Sequence, residues 1–160
     1  MTDREFFAYT VGDELPRFER VYQALPPDKL DYRPDAKSKT ALELAVYIAA
    51  ECATFGTFLK NGEVNFMEAM KSLPQTTAAA LMTLQMGLNE GKMMAEKMSD
   101  PDWDSQCKMM GGSEPWVTTK GKMAWGLLLD LIHHRGQLST YLRPMGGKVP
   151  SIYGPSADSA

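Results

Sequence analysis

His133 and His134 stand side by side and are the only two histidines in the 160-residue chain. Neighbouring side chains on a helix point roughly 100° apart, so the two imidazoles do not share one site in the usual way. His134 falls on an apolar helical seam and His133 lies off it. Asp130 precedes His134 by four residues, which puts both side chains on one helix face. Carboxylate oxygen and imidazole nitrogen both ligate divalent cations, and the same pair can equally form a plain hydrogen bond. Asp130 and His134 are therefore the candidate metal ligands.

Tyr47 and Glu51 repeat the four-residue spacing on the edge of a second apolar stripe. If the two helices pack together, Tyr47, Glu51, Asp130 and His134 converge on a small polar pocket. Interiors between helices are common places for ligand and metal sites, so these four are the candidate ligand-binding residues. Taken alone, Glu51 is expected to face solvent, and Tyr47 is either a half-buried packing residue or part of the pocket. Arg135 and Gln137 flank the histidines and are either solvated or tie down the C-terminal tail. No catalytic residue is assigned. The sequence holds no glycine-rich phosphate loop, nucleophile elbow or paired-cysteine zinc spacing.

The elements that must position these residues follow from apolar periodicity. Spacings of three and four predict a helix from Asp3 to about Leu25, with Pro16 kinking it or starting a new one. Residues 28–37 read as an ordered loop anchored by Tyr32. Thr40 and Glu43 form a capping-box signature, opening a second helix whose stripe of Ala41, Ala45, Ile48, Cys52, Phe55 and Leu59 runs to Asn61-Gly62. A third helix spans about Thr76 to Met98. The polar, glycine-containing stretch from Asp102 to about Glu114 reads as a long connection, with some extended structure near Trp103 and Trp116. The fourth helix begins near Thr118 and ends around Pro144, with Leu127, Leu131, His134, Leu138 and Tyr141 as its seam. Val149, Ile152 and Tyr153 make the tail apolar enough to dock. No strand alternates cleanly, so the expected class is all-α: a four-helix bundle in a single domain over 1–160 with a docked C-terminal tail.

The composition is that of a folded chain, with 44% apolar and 23% charged residues. A net charge of −3 with no basic run argues against nucleic acid as a partner. No apolar stretch is read as long enough to cross a bilayer, and the N-terminus has no signal-peptide core. No membrane partner and a cytoplasmic location are expected. Cys52 reads as a buried small hydrophobe and Cys107 as more exposed. The 12 methionines read as core gap-fillers.

Two stretches resemble the DinB-like (damage-inducible) family. The first is Leu30-Asp31-Tyr32-Arg33-Pro34, Lys37-Ser38-Lys39-Thr40-Ala41 and Glu43-Leu44-Ala45-Val46-Tyr47-Ile48-Ala49, similar to that family's loop and second helix. The second, more specific, is His133-His134-Arg135-Gly136-Gln137-Leu138, Tyr141-Leu142-Arg143, Gly146 and Val149-Pro150-Ser151-Ile152-Tyr153-Gly154, similar to its fourth helix and tail. The order of the pieces agrees, and residues 61 to about 117 contribute little. The resemblance implies a four-helix bundle, frequently a homodimer, with nickel or zinc on three histidines. Its members include thiol-dependent transferases and metal-dependent hydrolases or isomerases. Carried across residue by residue, the second-helix histidine falls on Tyr47 and the first fourth-helix histidine on Asp130, and only His134 is kept. The implied site is thus degenerate, holding no metal or a weakly held nickel or zinc ion.

Three functions compete. The first is a small-molecule-binding or stress-related homodimer using the pocket at Tyr47 and His134. The second is a metal-dependent hydrolase or thiol transferase with a rebuilt Asp/His or Glu/Asp/His site. The third is metal-free acid–base catalysis with Asp130 orienting His134. The substrate is not legible in any of them.

Overall fold

A computed structural model describes residues 1–110 and 114–159. The helices are α1 (Asp3–Gln23), α2 (Ala41–Cys52), α3 (Phe55–Asn61), α4 (Phe66–Ala69), α5 (Thr77–Lys97), α6 (Asp100–Trp103) and α7 (Lys120–Tyr141). Each of the long helices α1, α2, α5 and α7 starts on a threonine. Thr2, Thr40, Thr76 and Thr119 accept from the backbone N–H three residues on, and Thr2 and Thr40 complete full capping boxes with Glu5 and Glu43. Such caps typically contribute about 1 kcal/mol each.

Both α1 and α2 pack against α5 and against α7. The second and fourth predicted helices therefore lie side by side, as α2 and α7. The core between them is built from Phe7, Phe18, Leu44, Ile48, Leu84, Leu88 and Leu128, among others. Close approach of α2 to α5 depends on Gly87, where a Cβ would collide with the Cys52 carbonyl.

Several expectations are corrected. Helix α1 runs on through Pro16, so of the two readings there the start of a new helix is set aside. Buried Val11 on one side of the proline and Phe18 and Val21 on the other face one core, and that packing outweighs the lost backbone hydrogen bond. The second predicted helix does end at Gly62, in the left-handed conformation with φ 71°. It is interrupted at Ala53–Thr54, however, where the Thr54 hydroxyl donates to the Glu51 carbonyl at 2.7 Å. Residues Ala41–Asn61 are long and apolar enough to cross a membrane by length and composition, contrary to the reading above. The protein itself buries 72% of their most apolar window, which accounts for their apolarity.

The all-α expectation is amended by a three-stranded sheet of β1 (Glu63–Val64), β2 (Gln106–Met109) and β3 (Trp116–Thr119). Strand β2 pairs parallel with β1 and antiparallel with β3. The extended structure expected near Trp116 is β3, whereas Trp103 lies in α6. Cys107 points inward from β2 and is buried rather than exposed. The glycine-containing part of the predicted connection, 111–113, lies outside the described residues. Met82, Met86 and Met93 face solvent on α5 while Met98, Met123 and Met145 are buried, so only part of the methionine content fills the core.

The loop before α2 is pinned as expected. Tyr32 sets its ring edge-to-face on Tyr141 at 5.6 Å, and its carbonyl accepts from Ala41 N–H. In the tail, Arg17 Nε donates to the Ile152 carbonyl at 3.3 Å. Arg143, beyond α7, pairs with Asp158 at 2.9 Å.

Candidate functional site

Helices α2 and α7 bring together all four residues singled out by spacing. Glu51 sits on the last turn of α2, and Asp130 and His134 sit one turn apart on α7. His134 Nε2 lies 3.5 Å from Asp130 Oδ2 and 3.9 Å from Glu51 Oε1. One donor atom from each of Glu51, Asp130 and His134 falls within 4.8 Å of the others. Tyr47, one turn before Glu51, presents its ring edge-on to the His134 imidazole at 5.1 Å and to Phe66 at 5.3 Å.

The burial of Glu51 corrects the expectation that it faces solvent. It is 5% exposed, and its Oε2 is buried with no hydrogen-bond partner. The stripe of α2 is wide: Leu44, Ala45, Ile48, Ala49 and Cys52 are all buried, and Glu51 lies within that width rather than beyond its edge. Burial, and next the negative charge of Asp130, push Glu51 up to about 8. Burial, followed by the charge of Glu51, pushes the Tyr47 phenol up to about 12. A phenol that hard to ionise stays neutral near pH 7 and is a poor ligand. Asp130 is the open side of the cluster, with its side chain 51% exposed, against 17% for His134.

His134 is aimed by a residue whose role was left open above. Gln137 Oε1 accepts from His134 Nδ1 at 2.9 Å, and Gln137 Nε2 donates to His133 Nε2 at 2.9 Å. With its proton on Nδ1, His134 turns the lone pair of Nε2 toward the two carboxylates. Such a partner on the remote ring nitrogen fixes tautomer and orientation in metal sites. The signal was the spacing, since Gln137 follows His134 by three and His133 by four. His133 itself is exposed; it bonds Gln137 and sets its ring 5.4 Å from that of His134. Of the two readings for Arg135, the tail-tying one holds. Arg135 is 2% exposed, pairs with the buried carboxylate of Glu14 and donates to the Tyr153 hydroxyl at 2.6 Å. Glu14, which gave no sign of burial in the sequence, is the residue missed there.

The three donor groups suit a divalent cation. Ligand bonds of about 2.0–2.2 Å require donors roughly 3–4 Å apart around one ion, and the distances from His134 Nε2 fall in that range. The unpartnered oxygen of Glu51 is a buried acceptor in want of a positive charge. Two carboxylates and one neutral imidazole also match a charge of +2.

No family profile matches the sequence, and no curated protein matches it. Solved structures do match in fold. A DinB-like protein of Bacillus subtilis superposes with TM-score 0.67 at 16% identity, over 96% of this chain and 97% of its own. A DinB-like protein of Bacillus cereus gives TM-score 0.69 at 18% identity, over 92% and 95%. A mycothiol-dependent maleylpyruvate isomerase gives TM-score 0.58 at 9% identity, over 92% of this chain and 62% of that one. The chain has the mostly helical fold of the DinB-like proteins.

Proposed function

We propose that this chain is a DinB-like four-helix bundle, a single cytoplasmic domain acting as a homodimer, which binds a small molecule beside a rebuilt divalent-metal site. In place of three histidines the site uses Glu51, Asp130 and His134. The observation that carries this reading is the buried Glu51 carboxylate, set against His134 and Asp130 with one oxygen unpartnered. A carboxylate in that position is unfavourable without a proton or a cation.

Each residue then has a task. His134 offers Nε2 because Gln137 holds the proton on Nδ1. Glu51 supplies the buried negative charge and Asp130 the exposed one. Tyr47 is not a ligand; its ring walls the imidazole. Glu51, Asp130 and His134 would hold a nickel or zinc ion, which would supply Lewis-acid activation of a water or a thiol; that fits the alternative of a metal-dependent hydrolase or thiol transferase. The mycothiol-dependent isomerase of like fold supports thiol chemistry as a class to assay.

The test is metal content after dialysis against Ni²⁺ or Zn²⁺ and removal of free ion. The wild-type protein is expected to retain one ion per chain. Glu51→Gln and His134→Ala are expected to retain none while keeping the wild-type circular dichroism. Equal retention by wild type and Glu51→Gln, or none by wild type, overturns the proposal.

A further inference from the structure

Two clefts meet at the candidate site. One, of about 570 Å³, lies between the loop before α2, the outer face of α2 and the segment after α4. Its apolar lining includes Leu42, Val46, Met70 and Leu73, and its charged lining is Arg33, Lys37, Lys39 and Glu43. The second, of about 460 Å³, is lined by His134, Gln137 and Tyr141 among others, and it shares Lys39 and Tyr47 with the first. Both volumes lie in the range of small-molecule sites.

The charge is one-sided. Glu43 accepts from the Thr40 backbone N–H in the capping box and lies 3.8 Å from Arg33. Lys37 and Lys39 form no ion pair within 4 Å among the described residues, and the Lys39 charge acts at longer range on Glu43 and Glu51. Lys39 stands where the clefts join, its Nζ 4.7 Å from the centre of the Tyr47 ring. The His134 ring lies 5.1 Å from that same centre. The ammonium and the imidazole are therefore no more than about 10 Å apart on one aromatic wall.

We propose that the site takes a small amphiphilic anion, with the apolar body in the Leu42/Val46/Leu73 cleft, the anionic group on Lys39, and the atoms beyond it facing His134. This rests on the reading of Glu51, Asp130 and His134 as the reactive centre, but the Lys39 contact does not require a metal. Lys39 is exposed, so its ammonium over the Tyr47 ring offers an anionic group a charge-assisted contact at the mouth of the apolar cleft, whose walls take the body of the ligand.

Isothermal titration of the full chain with octanoate, octanol and octylammonium, each in chelator and again with Zn²⁺, tests it. Octanoate is expected to bind roughly tenfold tighter than octanol, in keeping with a charge-assisted hydrogen bond, and octylammonium weakest. Lys39→Met, which keeps the aliphatic stem over Tyr47, is expected to erase the preference, and Lys39→Arg to restore it. Octanol binding as tightly as octanoate, or a preference that survives Lys39→Met, overturns the assignment. So does a preference seen only with Zn²⁺ and lost in Glu51→Gln, since the carboxylate would then sit on the metal. Zinc binding that fails while the octanoate preference holds refutes the metal reading alone.

Discussion

Replacing Glu51 by glutamine is expected to change how the stability of the fold depends on pH. The carboxyl is held up at about 8 against an ordinary 4.5, by burial first and then by Asp130. Between those two values the unfolded chain has released this proton while the folded chain still holds it. Stability from this group is therefore whole below pH 4.5 and declines as pH rises, by about 1.4 kcal/mol per pH unit. Summed over the window, the ceiling is on the order of 5 kcal/mol. Glutamine has nearly the same shape and does not titrate, so the variant escapes that decline. Urea unfolding of both proteins in chelator, at intervals from pH 5 to 8.5, reads the difference directly. The variant is expected to gain on the wild type steadily with pH and to level off near 8. Saturating Zn²⁺ is expected to flatten the wild-type curve, since a bound cation replaces the proton, and to leave the variant unmoved. Parallel curves for the two proteins from pH 5 to 8 would refute the argument that burial and the charge of Asp130 outweigh the charge of Lys39 in holding the proton on Glu51.

Other outcomes follow from the same geometry. Gln137→Leu removes the acceptor on His134 Nδ1 and is expected to weaken Zn²⁺ binding by roughly 10- to 100-fold, with little change in the far-ultraviolet spectrum; unchanged affinity would show that the imidazole needs no orienting partner. Glu14→Ala leaves the Arg135 guanidinium buried and unpaired, a change that costs about 3–5 kcal/mol in denaturant unfolding. Tyr153→Phe removes the hydroxyl that accepts from Arg135 and donates to Glu14 and is expected to cost about 1 kcal/mol for each of those bonds, so a loss equal to that of Glu14→Ala would mean that the tail and not the ion pair is the main fastening. Gly87→Ala forces a methyl group against the Cys52 carbonyl and is expected to lower stability by about 1–3 kcal/mol, with a matching fall in Tm.

The parts of the fold legible in sequence were those written in local chemistry. Thr40 with Glu43 marked the start of α2, and Gly62 marked the stop after α3. The four-residue spacings paired Tyr47 with Glu51 and Asp130 with His134 before any packing was known. What stayed hidden depended on partners distant in sequence. Taken alone Glu51 reads as a surface acid and Glu14 draws no notice, because their burial depends on α7 side chains, His134 and Arg135, that arrive from 83 and 121 residues away. Strands β1 and β2 are two and four residues long, too short for alternation to register, and β1 exists only through its parallel pairing with β2. At Pro16 the local rule left a kink or a new helix open, and core contacts on both sides of the proline keep α1 one helix.

One carboxylate near the N-terminus has a practical consequence. Asp3 accepts from two indoles at once, Trp103 Nε1 at 2.8 Å and Trp125 Nε1 at 3.0 Å, while the remaining tryptophan, Trp116, is half in solvent. Intrinsic fluorescence thus samples the seating of the first turn of α1 against α6 and α7 far more than it samples the Glu51 region. A change in emission on heating or on trimming the first few residues reports fraying at that end of the molecule, and a ligand at His134 can bind without altering the signal.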